Sequence, residues 1–193
     1  MSVTTILLTV ALLAANAFFV GAEFAAMSAR RSQLEPLAEA GSKRAQTALD
    51  AMQHTGILLA TCQLGITVCS VLLGAISEAA LHHALTPLFT GLGLSPVVAD
   101  VVALGLALGL IVFLHVVYGE MIPKNISIAR PERSALALVP PLVMVSKVVA
   151  PVIHAMDWLS KALIRLFGVE PKDELATAFT AEEVAHILNE SRD

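Results

Sequence analysis

Four apolar stretches dominate this chain: Val3 to Met27, Gly56 to Leu81, Val97 to Tyr118 and Ala135 to Phe167. As a helix, the third rises about 33 Å, which matches a bilayer hydrocarbon core of about 30 Å. A soluble domain of 193 residues has no interior large enough for four such runs. A mean hydropathy of +0.78 with only 15% charged residues excludes one. In lipid every backbone polar group must find its partner inside the protein, so runs of this kind fold as helices. The expected fold class is an all-α membrane protein with three transmembrane helices and one interfacial helix.

Basic residues orient the spans. Arg30, Arg31, Lys43 and Arg44 lie between the first two runs, and no Lys or Arg occurs from Ala45 to Pro123. Short loops rich in Lys and Arg stay in the cytoplasm. The first loop is therefore expected inside and the second outside. That puts the N-terminus outside, and Lys124, Arg130 and Arg133 inside. No Lys or Arg precedes the first run and no clear small-residue cleavage site follows it, so it reads as a retained helix rather than a leader. Cys62 and Cys69 stand roughly 10 Å apart along one helix, beyond disulfide reach, and read as small buried hydrophobes. A net charge of −4 without a long basic run argues against a nucleic-acid partner.

The fourth stretch departs from the pattern. It contains Pro140, Pro141 and Pro151, with Lys147 midway and Lys161 and Arg165 near its end. A fourth crossing would carry this basic flank and the polar tail outside. The expected arrangement is a kinked amphipathic helix in the inner interface, anchored by Lys147, Trp158, Lys161 and Arg165. An ordinary fourth span is the alternative. The domains follow as 1–133, a transmembrane domain with a cytoplasmic helical loop near 30–54; 134–167, the interfacial helix; and 168–193, a linker and the start of a cytoplasmic region. In the last, Thr180 and Glu183 have capping-box spacing.

Polar side chains inside a span are costly and need a reason. In the second run Gln63, Thr67, Ser70, Gly74 and Ser77 share one helical face. Two readings stand: close helix packing, and a water- or ion-lined pathway. The first run adds Asn16 and Glu23 with Gly21 between them. Glu23 is either part of that pathway or an interfacial partner of Arg30 or Arg31. In the third, Gly105 and Gly109 form a G-x-x-x-G that suits a close partner helix.

"GEMIPK", Gly119 to Lys124, is the most specific stretch. Proline has no N–H, so Pro123 cannot bond the carbonyl four residues back, which belongs to Gly119. The motif releases a backbone oxygen at a residue with no side chain, beside the Glu120 carboxylate. Broken helices next to an acid are how cation sites are built within bilayers. The competing reading is a helix end with Glu120 and Lys124 as a weak i, i+4 pair. Carboxylate, amide, hydroxyl and carbonyl oxygens suit Mg²⁺, Ca²⁺ or Na⁺ rather than zinc or copper. His115 reads as a neutral interhelical hydrogen-bond partner. His82 and His83 read as solvated residues of the outer loop, which Glu78 and Asp100 make mildly acidic.

"FFVGAEFAAMSARRSQLEPLAEAGSKRA", "TCQLGITVCSVLLGAISE" and "YGEMIPKNISIARPE" together resemble the transmembrane domain of the CorC/CNNM (cyclin M) magnesium transporters. The resemblance covers about residues 1 to 170, with three motifs in order. It implies a homodimer with three transmembrane helices per subunit, a belt-like juxtamembrane helix, and cytoplasmic paired CBS domains that bind nucleotide. It also implies export or exchange of Mg²⁺, with Na⁺ as a candidate coupling ion. The motifs contribute Gly21 and Glu23, Thr67 and Ser70, and Gly119 and Glu120 to the metal site. Many relatives have serine where Val20 stands, and asparagine where Ile66 and Ser70 stand; Gln63 and Thr67 are the expected compensation. The expectation is an inner-membrane transporter of a divalent cation working by alternating access, and not an enzyme: no G-x-S-x-G or H-E-x-x-H occurs. The alternative is a membrane anchor or sensor that binds the cation for a CBS module without moving it.

Overall fold

The computed structural model describes residues 2–167 and 169; the expected linker and the Thr180–Glu183 cap lie outside the described residues. Those described form helices and short turns, with no strand among them. The first span, α1 (Val3–Ser28), is capped by Ser2, whose hydroxyl accepts from the Thr5 amide at 3.2 Å. Two short helices follow, α2 (Arg31–Glu39) and α3 (Lys43–Ala51).

The link between them is a Schellman turn. Gly41 takes φ +92°, the Ser42 amide bonds the Leu37 carbonyl, and the Gly41 amide bonds that of Ala38. Ser42 then caps α3. The same device, with Gly93 at φ +87°, ends the helix before the third span.

The second span is longer than its apolar run. It comprises α4 (Thr55–Leu73), a π-helical segment (Gly74–Glu78) and α5 (Ala79–Gly91). The outer loop expected around His82 and His83 is thus helical to Gly91, and only four residues turn the chain before Pro96. Nor does the third span stop at Tyr118. It runs as α6 (Pro96–Leu114), a second π segment (His115–Met121) and α7 (Ile122–Ala129). Both are corrections of extent: hydropathy marks where lipid contact ends, not where backbone hydrogen bonding ends. Arg130, held out of the helical region by the proline after it, separates α7 from α8 (Pro131–Leu166).

Among the described residues, four helical segments are therefore long and apolar enough to cross a membrane. The fourth is one continuous helix despite its three internal prolines.

α1 is the hub, packed against α4, α7, α8 and both π segments. The main apolar cluster sits at its C-terminal end, where Ala22, Ala26 and Ala29 meet Leu34 of α2, Ala48 of α3, Leu58 and Cys62 of α4, and Val139 and Leu142 of α8. The basic loop is thus a folded helical pair with its own buried face. α8 keeps company with the α3–α4 junction from Ala135 to Ala150.

Candidate cation site at the second π segment

One face of α1 carries a polar residue to each π segment. Thr9 shares a hydrogen bond with Ser77 of the first at 2.7 Å, and Asn16, seven residues on, reaches the second. A π segment contains one residue more per turn than the surrounding helix, which misaligns its carbonyls and leaves room for a side chain to enter. Asn16 enters. Its Nδ2 donates to the Gly119 carbonyl at 2.9 Å, and the residue is wholly buried. The oxygen that Pro123 cannot engage has a partner from another span.

Around this bond lies a polar cluster drawn from three spans. The Ser70 hydroxyl lies 2.8 Å from the Ile66 carbonyl, 3.1 Å from His115 Nε2 and 3.5 Å from Asn16 Oδ1. The same His115 Nε2 stands 3.6 Å from Glu120 Oε1. Glycine at 119 is required by this crowding: a Cβ there would lie 2.9 Å from Asn16 Nδ2 and 3.0 Å from the His115 ring. Glu120 does not pair with Lys124, whose ammonium lies 4.8 Å from the centre of the Phe24 ring. The surface-pair reading of "GEMIPK" therefore does not describe this turn.

The other expected residues divide. The Gly21 carbonyl accepts from the buried Ser127 hydroxyl at 2.8 Å, so it too is held by a side chain from another segment. A Cβ at Gly21 would meet Leu138 of α8 at 3.1 Å. Glu23, half-buried, has no hydrogen bond or ion pair among the described residues, and Arg31 pairs with Glu35 instead. Gln63 and Thr67 lie exposed on α4, and the Thr67 hydroxyl bonds its own helix at the Gln63 carbonyl. The structure thus joins Ser70, Gly119 and Glu120, keeps Gly21 on the same helix as Asn16, and leaves Glu23, Gln63 and Thr67 without a hydrogen bond or ion pair to that cluster.

Two members had a weaker signal in sequence. Asn16 stood out as a polar residue in a span but without a role, and His115 as a hydrogen-bond partner, which it is. Gly65 had no signal: the Phe19 ring lies 2.6 Å from where its Cβ would be. His82, expected to be solvated, bonds Asp100 across the α5–α6 hairpin at 2.9 Å.

No three of His, Cys, Asp and Glu converge among the described residues. The donors gathered at the second π segment are carbonyl, amide, hydroxyl and carboxylate oxygens with one imidazole. They define a multi-pass membrane protein with a polar helix-crossing site inside an apolar bundle. The chain belongs to the cyclin M family: residues 7–193 match the cyclin M transmembrane N-terminal domain. It is 43% identical over 188 residues to an uncharacterised protein of Mycobacterium tuberculosis, Rv1841c, covering 97% of this chain and 53% of that one. It is also 36% identical over 189 residues to the UPF0053 protein YhdT of Bacillus subtilis, covering 98% and 41%. Against the UPF0053 protein sll0260 of Synechocystis, identity is 31% over 175 residues, covering 91% and 39%. The chain spans about half the length, or less, of the curated relatives it matches.

Proposed function

We propose that this domain moves a hard divalent cation, Mg²⁺ in first place, across the membrane, with Na⁺ as a candidate coupling ion. The observation that carries the reading is the convergence of the Gly119 carbonyl, Asn16, Ser70 and Glu120 from three spans at one π-distorted turn. Hard cations take oxygen ligands of these kinds. In the described arrangement the Asn16 amide donates to the Gly119 oxygen, so a cation reaching that oxygen must displace the amide. Rotating the amide about its last torsion presents Oδ1 instead of Nδ2 to the same position. Asn16 then changes from donor to ligand. Such an exchange lets a site alternate between closed and loaded forms without leaving a buried carbonyl unpaired.

The domain would work as a homodimer with α8 as the belt. The company α8 keeps with the α3–α4 junction over four turns favours a path along the inner interface over a climb beside α4. The second reading, a cation-binding anchor for a regulatory module, is favoured by the length of the relatives, which carry about as much chain again. Mg²⁺ flux into proteoliposomes separates the two. Transport predicts uptake that Glu120→Gln abolishes; an anchor predicts Mg²⁺-dependent thermal stabilisation with no uptake above protein-free vesicles.

A further inference from the structure

At the level where the polar loop becomes apolar helix, a cleft of about 480 Å³ opens between the end of α3, the first turn of α4 and the middle of α8. Its walls are of two kinds. Ile57, Val143 and Ala150 are apolar, whereas Asp50, His54 and Lys147 bring charge and hydrogen-bonding capacity. Lys147 sits midway along an apolar helix, yet has no ion pair or hydrogen bond among the described residues. Asp50 uses Oδ1 to hold Gln46 at 2.9 Å, and Oδ2 has no partner there. An ammonium kept at the edge of the hydrocarbon without a counter-charge is a binding group by default.

We propose that this cleft binds one glycerophospholipid whose headgroup carries both a phosphate and a primary ammonium, the phosphate against Lys147 and the ammonium against Asp50. The cleft offers one cation and one carboxylate, so a headgroup of both signs complements it. A purely anionic headgroup would face Asp50. A trimethylammonium would reach Asp50 without a hydrogen to donate. Depth fits as well: Asp50 and His54 close the polar loop and Ile57 begins the apolar run, so the headgroup lies at the water boundary and the acyl chains leave along Ile57, Val143 and Ala150. A volume of this size accommodates a headgroup with its glycerol. Bound there, the lipid would fasten the middle of α8 to the α3–α4 junction.

The full chain, purified in detergent and stripped of lipid, provides the test. Its thermal midpoint is measured with added phosphatidylethanolamine, phosphatidylcholine, phosphatidylglycerol and water-soluble glycerophosphoethanolamine, and native mass spectrometry counts the lipids retained. Phosphatidylethanolamine is expected to raise the midpoint most and to be retained at one per chain. Lys147→Gln and Asp50→Asn should each weaken its apparent affinity about tenfold, and Lys147→Arg should retain it. Asp50→Asn should also lose the preference over phosphatidylglycerol. Several outcomes overturn the proposal: equal shifts from all three lipids that persist in Lys147→Gln; phosphatidylglycerol outranking phosphatidylethanolamine in the unaltered chain; an equal response to the soluble headgroup; or no lipid response, as when a second copy or the residues after Val169 fill the cleft. Neither variant touches Asn16, Ser70 or Glu120, so failure here leaves the cation site untouched.

Discussion

Gly119 shows how one backbone oxygen connects sequence to site. Pro123 denies it the amide four residues on, the absent side chain lets a neighbour approach, and Asn16 supplies the donor. A buried acceptor that loses its donor costs about 1–3 kcal/mol, so Asn16→Ala should lower stability by that amount in a denaturant titration. Glu120→Gln should behave oppositely. The Glu120 side chain is 45% exposed and stands 3.6 Å from His115, beyond hydrogen-bond distance, so the amide should leave stability within about 0.5 kcal/mol while removing Mg²⁺-dependent stabilisation. If both variants lose stability alike and both keep the Mg²⁺ response, the cluster is packing and nothing else.

At the scale of elements, the α2–α3 pair carries more structure than its polar composition suggests. Leu34 is wholly buried against α1, α3 and α8. Leu34→Ala should cost about 2–5 kcal/mol, as for other core leucines, and should loosen α8 together with the pair, read by hydrogen exchange over Ala135 to Leu142. A loop merely solvated between two spans would show neither effect. A second prediction concerns α4. With the Phe19 ring 2.6 Å from the place of a Cβ at residue 65, Gly65→Ala should cost about 1–3 kcal/mol, whereas Gly74→Ala, where a Cβ meets nothing, should not. Equal melting of the two variants would show that Phe19 simply turns aside.

For the whole molecule the expectations are orientation and assembly. In a background with both cysteines replaced, cysteines at His82 and Phe167 should differ in access, the first reached by impermeant reagent from outside and the second only after permeabilisation. The reverse pattern would invert the expected orientation of the domain. Gly105 and Gly109 face open space on α6, where no intramolecular packing explains them. If the proposed homodimer forms through α6, Gly105→Leu should weaken it without destabilising the monomer, read as mass by light scattering across a dilution series. A dimer unchanged by the substitution would move the proposed contact to another helix, and a monomer in the unaltered chain would remove the proposal of a homodimer.

Hydropathy was enough to read the class, and loop charge and one proline were enough to raise the expectations of orientation and of a released oxygen at Gly119, because each rests on local chemistry: transfer to lipid, the surface potential, and a missing N–H. Which oxygens face one another was not local. Asn16 and Gly119 are 103 positions apart, and only the crossing of α1 with the π-distorted third span brings them together. The same holds for Gln63 and Thr67. Their periodicity put them on one face with Ser70, but periodicity cannot say where a neighbouring helix stops, and α1 bonds only the C-terminal part of that stripe, at Ser70 and Ser77. Nor could composition tell that α8 would follow the α3–α4 junction. Side-chain pattern specifies what a helix must bury; the packing of the other helices decides against what.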